Sequence, residues 1–137
     1  MRFKNPERNE IDEILKSSTT IAVVGLSDQP HRTSYQVSEA MQQAGYKIIP
    51  VNPKIEESLG EKAVPSLGDI KEDVDIINVF RRSQFLPDVA AEAKNKHAKA
   101  FWAQQGVIHP DVPEILQNSN QTVIMDMCIK VAHAMMK

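Results

Sequence analysis

The stretch Ile21-Ala22-Val23-Val24-Gly25-Leu26-Ser27-Asp28-Gln29-Pro30-His31-Arg32-Thr33-Ser34-Tyr35 decides the fold. Its β-branched and apolar opening, Thr20 to Val24, reads as a strand covered on both faces. Gly25 ends that strand and a short polar loop follows. A helical stripe at Val37, Ala40, Met41 and Ala44 then opens near Ser34, and Gly45 closes it. Strand, glycine turn and helix in this order begin a mononucleotide-binding unit, in which the helix N-terminus can hold a phosphate.

The pattern repeats outward from there. Lys47 to Val51 reads as a second strand stopped by Asn52-Pro53, and Val74 to Phe80 as a further one. Lys62 to Val64 reads as a short edge strand, and Pro65 to Ile70 as a turn or a single helical turn. Leu86, Val89, Ala90 and Ala93 mark a helix that tolerates Pro87 in its first turn. Ala98 to Trp102 follows as a strand, with a weaker helix around Val112, Ile115 and Leu116. Thr122 to Met125 is the last strand, and Cys128, Val131, Ala132 and Met135 form the stripe of a closing helix. Upstream, Asn5-Pro6 reads as a cap and first helical residue ahead of Ile11, Ile14 and Leu15. Alternating strands and helices imply right-handed crossovers into a parallel sheet. The expected fold is α/β: a Rossmann-like three-layer sandwich with a mostly parallel sheet of five or six strands.

With 137 residues, the chain is sized for one domain. Apolar residues make up 42%, charged residues 25%, and the net charge is −2, which argues against a nucleic-acid partner. The polar start Met1-Arg2-Phe3-Lys4 lacks the apolar core of a signal peptide, and no stretch is long enough to span a membrane. Cys128 is the only cysteine, so neither an intrachain disulfide nor a multi-cysteine metal site can form. A cytoplasmic location is the expectation.

Ligands of open parallel sheets bind beyond the carboxyl ends of the strands, where strand order reverses. Gly25 lies at such an end and allows close backbone approach. Ser27 offers an N–H and a hydroxyl, Ser34 is placed to cap the helix, and Arg32 adds a guanidinium. Ser27 stands where the second glycine of a GxGxxG fingerprint would be, so the motif alone is weak. The second strand separates the dinucleotides. An NAD site places an acid about 20 residues beyond the glycines. Here Val51-Asn52-Pro53-Lys54 brings a lysine instead, and the first acid is Glu56. A lysine there favours a ribose phosphate, as in NADP or coenzyme A.

Those residues resemble the CoA-binding domain family, the Rossmann-like domain also found at the N-terminus of the succinyl-CoA synthetase alpha subunit. The likeness runs from about Ile11 to Lys130 and includes Asn78-Val79-Phe80-Arg81-Arg82-Ser83, Trp102-Ala103-Gln104-Gln105-Gly106-Val107 and Asp126-Met127-Cys128. The resemblance implies that the Gly25, Leu26 and Ser27 backbone and the Ser34-Tyr35 helix start hold the diphosphate of coenzyme A or an acyl-CoA. It implies that Arg32 and Lys54 face phosphates, Lys54 the ribose 3′-phosphate, with Asn52 and Pro53 in the adenosine-side turn. Phe80 and Arg81 would lie along the adenine or pantetheine, and Gln104 and Gly106 would border the outer crevice. Met127 departs from the family's Asp-Arg-Cys signature, so no ligand role falls to the last loop.

No catalytic set emerges. His31, His97, His109 and His133 are scattered without metal-ligand spacing. His31 reads as a loop residue or a ligand contact, because the phosphorylated histidine of the synthetases belongs to another domain. Cys128, on its apolar stripe, and Phe101 and Trp102 read as core, the alternatives being a mixed disulfide with the CoA thiol or a nucleophile for Cys128 and the lining of a pantetheine channel for the two aromatics. Of Arg81 and Arg82, only Arg81 is expected to face the crevice. The reading is non-catalytic binding of coenzyme A or an acyl-CoA, with a homodimer or an enzyme partner compatible. An NADP-binding oxidoreductase and a protein-interaction domain with a vestigial crevice are the alternatives.

Overall fold

The computed structural model describes residues 3–136. Its centre is a sheet of β2 (Lys47–Val51), β1 (Thr20–Val24), β5 (Ile76–Val79), β6 (Ala100–Ala103) and β7 (Thr122–Ile124), in that spatial order. All four pairings are parallel. Two further strands, β3 (Glu57–Ser58) and β4 (Glu61–Lys62), pair antiparallel outside this sheet. The edge strand expected at Lys62 to Val64 is therefore split: Lys62 belongs to the small hairpin, and Val64 alone bridges to Val51.

Side-chain alternation divides the core into two layers. Ile21, Val23, Ile48, Ile76, Trp102 and Ile124 point to one face, under α1 (Arg8–Ser17), α2 (Thr33–Gln43) and α5 (Ile129–Ala134). Ala22, Ile49, Val51, Ile77, Val79 and Phe101 point to the other, under α3 (Leu86–Ala93) and α4 (Val112–Ile115). With both faces covered, the strands read as largely apolar runs, interrupted in β5 by the buried Asn78. Phe101 and Trp102 are fully buried, as expected of core.

Three expectations about helix ends and faces need correction. Asn5 does not cap α1, which begins at Arg8 behind Glu7. Its amide instead donates to the Met125 carbonyl at 2.8 Å and accepts the Met125 N–H at 2.9 Å, fastening the leading segment beside β7. On α2 the inward face is Ser34, Val37, Ser38 and Met41, while Ala44 is exposed. On α5 the inward residues are Ile129 and Ala132, leaving Val131 52% and Met135 61% exposed. A helix of only six residues turns too few times for periodicity to fix its phase.

Strand order reverses between β1 and β5. The chain leaves β1 through α2 toward β2, returns across the sheet to β5, and then steps outward to β6 and β7. The loops after β1 and β5 thus diverge and open a crevice at the carboxyl rim. Gly25 and Phe80 face each other across it. Gly25 has φ +88°, and a Cβ there would lie 2.3 Å from the Phe80 carbonyl oxygen. The glycine is required by its own chain, through both its backbone angle and the neighbouring carbonyl.

Candidate functional site

Three adjoining clefts line the carboxyl rim, and Phe80 borders all of them. The first, about 550 Å³, lies between the β1, β2 and β5 ends and holds Gly25, Asn52, Pro53, Lys54 and Arg81. Asp88 and Glu92 of α3 form its outer wall. The second runs along the β1–α2 loop and holds Gly25, Ser27, His31, Arg32, Thr33 and Ser34. The third, about 630 Å³, holds Thr33, Arg81, Arg82, Ser83, Gln104, Gln105, Gly106 and Cys128. Arg32 and Lys54 therefore stand in neighbouring clefts that share Gly25, Asn52 and Phe80.

The donors on offer differ from those expected. The Gly25 N–H already donates to the Val51 carbonyl at 2.8 Å, extending the parallel ladder one step. The Ser27 N–H donates to Ser34 Oγ at 3.0 Å, and Ser27 Oγ accepts the Gln29 N–H at 3.0 Å. Ser34 is thus no helix cap. It is the second residue of α2, and its hydroxyl oxygen braces the loop while its proton has no acceptor among the described residues. The open donors lie at the start of α2, where Thr33, Ser34 and Tyr35 precede the first intrahelical bond, Gln36 N–H to the Arg32 carbonyl at 3.1 Å. These amides carry the positive end of the helix dipole into the middle cleft.

Several expected contacts are structural. Leu26 is fully buried in the core and lines none of the three clefts. Asn52 Nδ2 donates to the Leu26 carbonyl at 3.0 Å, and its Oδ1 accepts the Lys54 N–H at 2.9 Å. That pair ties the β2 turn to the β1 loop and orients Lys54. The Gln104 side chain is 5% exposed and its Oε1 accepts the Ile129 N–H at 3.0 Å, anchoring the start of α5. Gly106, at φ +82°, donates its N–H to Asp126 Oδ1 at 2.7 Å. Tyr35 lines none of the three clefts.

The rim is cationic in a chain whose net charge is −2. Arg32, Lys54, Arg81 and Arg82 have no carboxylate within 4.0 Å among the described residues. Arg81 stands over Phe85, its Cζ 4.7 Å from the ring centroid, a cation–π contact at a residue that lines the first and third clefts. Arg82 lines the third cleft with Arg81, against the expectation that one of the pair turns away. Strict alternation has lapsed there because β5 ends at Val79. Thr33, Ser83, Gln105 and Cys128 also line that cleft. Their signal was positional: each follows closely on a strand end or opens a helix.

Among the described residues, no group of three or more His, Cys, Asp or Glu side chains could hold a metal ion. His109 pairs locally with Asp111, Nδ1 3.9 Å from the carboxylate, and His31 is exposed in its loop. No helix is long and apolar enough to cross a membrane among the described residues.

Comparison with known proteins supplies the context. The family described as the CoA binding domain matches residues 19–134. Uncharacterized protein YneT of Bacillus subtilis (strain 168) is 58% identical over 135 residues, covering 98% of this chain and all of YneT. The structure of cell-free ID.343 from Thermus thermophilus superposes with a TM-score of 0.91 at 34% identity, over 96% of this chain and 100% of that one. Acetate–CoA ligase [ADP-forming] II of Archaeoglobus fulgidus is 32% identical over 82 residues, 58% of this chain but 12% of the ligase. The likeness to the ligase thus concerns one small segment of a much longer enzyme. Matched from its first strand into its last helix, the chain belongs to the CoA-binding domain family.

Proposed function

We propose that the protein binds coenzyme A or an acyl-CoA at the carboxyl rim without catalysing a reaction itself. Family membership supports coenzyme A as the ligand. The observation that carries the finer reading is the set of unpaired cations around one helix start: Arg32 and the α2 amides in the middle cleft, Lys54 next door. Coenzyme A carries a diphosphate and a ribose 3′-phosphoryl group, two anionic centres for these two neighbouring sets of donors. In this reading α2 and Arg32 take the diphosphate, and Lys54 takes the ribose 3′-phosphate. The adenosine lies by Pro53 and Phe80, and the pantetheine arm runs past Thr33 toward the third cleft. Held anions gain from donors that are already oriented and have no competing partner.

A thermal-shift titration with coenzyme A, acetyl-CoA, dephospho-CoA, NADPH, NADH and ATP tests the assignment. Coenzyme A should stabilise most, and dephospho-CoA distinctly less. Lys54→Ala should erase the difference between those two. Stabilisation by NADPH equal to that by coenzyme A would overturn the assignment in favour of a dinucleotide site, and no response to any ligand would leave the crevice vestigial.

A further inference from the structure

We propose that the third cleft selects acyl-CoA thioesters whose acyl group ends in a carboxylate, and that Arg82 reads that carboxylate. The inference rests on the coenzyme reading above and names the class of acyl group that reading leaves open.

The charge lining the clefts is unequal. The first cleft sets Lys54 and Arg81 against Asp88 and Glu92 of α3. The third holds Arg81 and Arg82 with no aspartate or glutamate among its lining residues. Asp126 touches that lining only through Gly106, whose N–H its Oδ1 accepts at 2.7 Å. Arg82 lines the third cleft and neither of the others, and no carboxylate of the described residues comes within 4.0 Å of it. Two guanidiniums in one cleft repel each other, and an anion bound beside them offsets that repulsion.

The wall that carries the two arginines is braced before any ligand arrives. The Arg82 carbonyl accepts the Phe85 N–H at 2.9 Å. The hydroxyl oxygen of the next residue, Ser83, accepts the Ile108 N–H at 3.0 Å, fastening the loop after β5 to the loop after β6. Arg81 is steadied over the Phe85 ring. The planar fork of an arginine matches the two oxygens of a carboxylate, so an anchored pair is suited to a terminal acid group.

Phe80, Val107 and Cys128 give the same cleft an apolar side, which suits the methylenes between a thioester and a distal carboxylate. Thr33 and Phe80 border both the middle and the third clefts. An arm held by its phosphates at α2 therefore leads its acyl end into the third cleft. A plain alkyl end would use the apolar side and leave both guanidiniums unanswered.

Calorimetric titration of the wild-type protein with glutaryl-CoA and valeryl-CoA tests the proposal, because the two acyl chains match in length and differ in the terminal carboxylate. Glutaryl-CoA should bind about fivefold tighter or more, and the advantage should shrink as salt is raised. Arg82→Gln should bring the two affinities together, whereas Lys54→Ala should weaken both ligands alike and keep their ratio. Equal affinities in the wild-type protein, or tighter binding of valeryl-CoA, would overturn the proposal whether or not a variant folds. A preference that survives in Arg82→Gln would overturn the role given to that residue. Free coenzyme A separates the two levels of inference. Binding of coenzyme A without a glutaryl preference defeats the acyl-group assignment alone, whereas no binding of any of these ligands defeats the coenzyme site and this proposal with it.

Discussion

The two ends of the sheet are built on opposite electrostatic terms. At the amino end, Asp75 Oδ2 accepts the Thr19 N–H at 2.7 Å, the Thr20 N–H at 3.2 Å and the Thr19 hydroxyl at 3.1 Å. Lys99 stands 3.9 Å from the other carboxylate oxygen and donates to the Ser17 carbonyl at 2.6 Å. Lys47 is paired with Glu72. Burial by itself would raise the Asp75 carboxyl pKa, but the donors from Thr19 and Thr20 and the Lys99 charge outweigh it and hold the pKa below the ordinary value. At the carboxyl end, Arg32, Lys54, Arg81 and Arg82 stand with no such partner among the described residues. One end spends its charges on holding strands together; the other keeps them available. A parallel sheet divides stability from recognition in this way because its loops diverge at only one end of the switch point.

Gly25 is where the two tasks meet, and its replacement should have the largest effect. Gly25→Ala is expected to cost about 3 kcal/mol, from an unfavourable positive φ together with overpacking against the Phe80 carbonyl. Urea denaturation should show the lowered midpoint, and coenzyme binding should weaken with it. Full retention of stability would mean that the β1 and β5 loops separate more readily than their contact suggests. Next in size, Asp75→Ala should lose about 2 kcal/mol by leaving the Thr19 and Thr20 N–H groups without their acceptor. Coenzyme affinity, measured by calorimetry at a temperature where the variant is folded, should not change. Any loss there would break the division between the ends.

The rim substitutions should show the reverse pattern. Lys54→Ala and Arg32→Ala should each weaken coenzyme A binding about tenfold, the ~1.5 kcal/mol of a modest charge-assisted bond, with denaturation midpoints unchanged. The smallest effect is one of pH. Because the Asp75 pKa is lowered in the folded state, its contribution is fully present above the ordinary carboxyl value of about 3.9 and is lost as pH falls through the folded value. The difference in stability between the wild type and Asp75→Asn should therefore be constant near neutrality and shrink on acidification. A difference that persists unchanged in acid would assign the effect to packing.

The difference between the ends also sets what could be read from residues alone. The alternation of strands and helices was legible because both faces of the sheet are covered, so each strand is an apolar run and each long helix carries a stripe. Arg32, Lys54 and Arg81 were legible as rim cations because they lie in loops that follow strand ends, whereas Arg82 was expected to turn away. Hydrogen-bond destinations were not. Ser34 had the chemistry of a cap and became the acceptor for Ser27, and Asn5 had the same chemistry and became a partner for Met125. Small polar side chains serve several geometries equally well, and tertiary placement chooses among them. Cys128 was placed on the stripe of α5 but is the residue before it, partly buried against the core and lining the third cleft; on so short a helix an assumed phase decides which residues face inward.

The bond between Asn5 and Met125 has a consequence for the outer flank of the sheet. β7 has a neighbour on one side only, and Thr122 directs its N–H inward, to the Lys99 carbonyl. Peptide groups two residues apart share a direction and adjacent ones oppose it, so those of Met125 face outward. Asn5 occupies both of them with a side-chain amide, imitating a single link of a sixth strand and then stopping. A stray extended chain seeking to prolong the ladder finds that rung already taken, which is how a terminal asparagine guards against unwanted edge-to-edge growth.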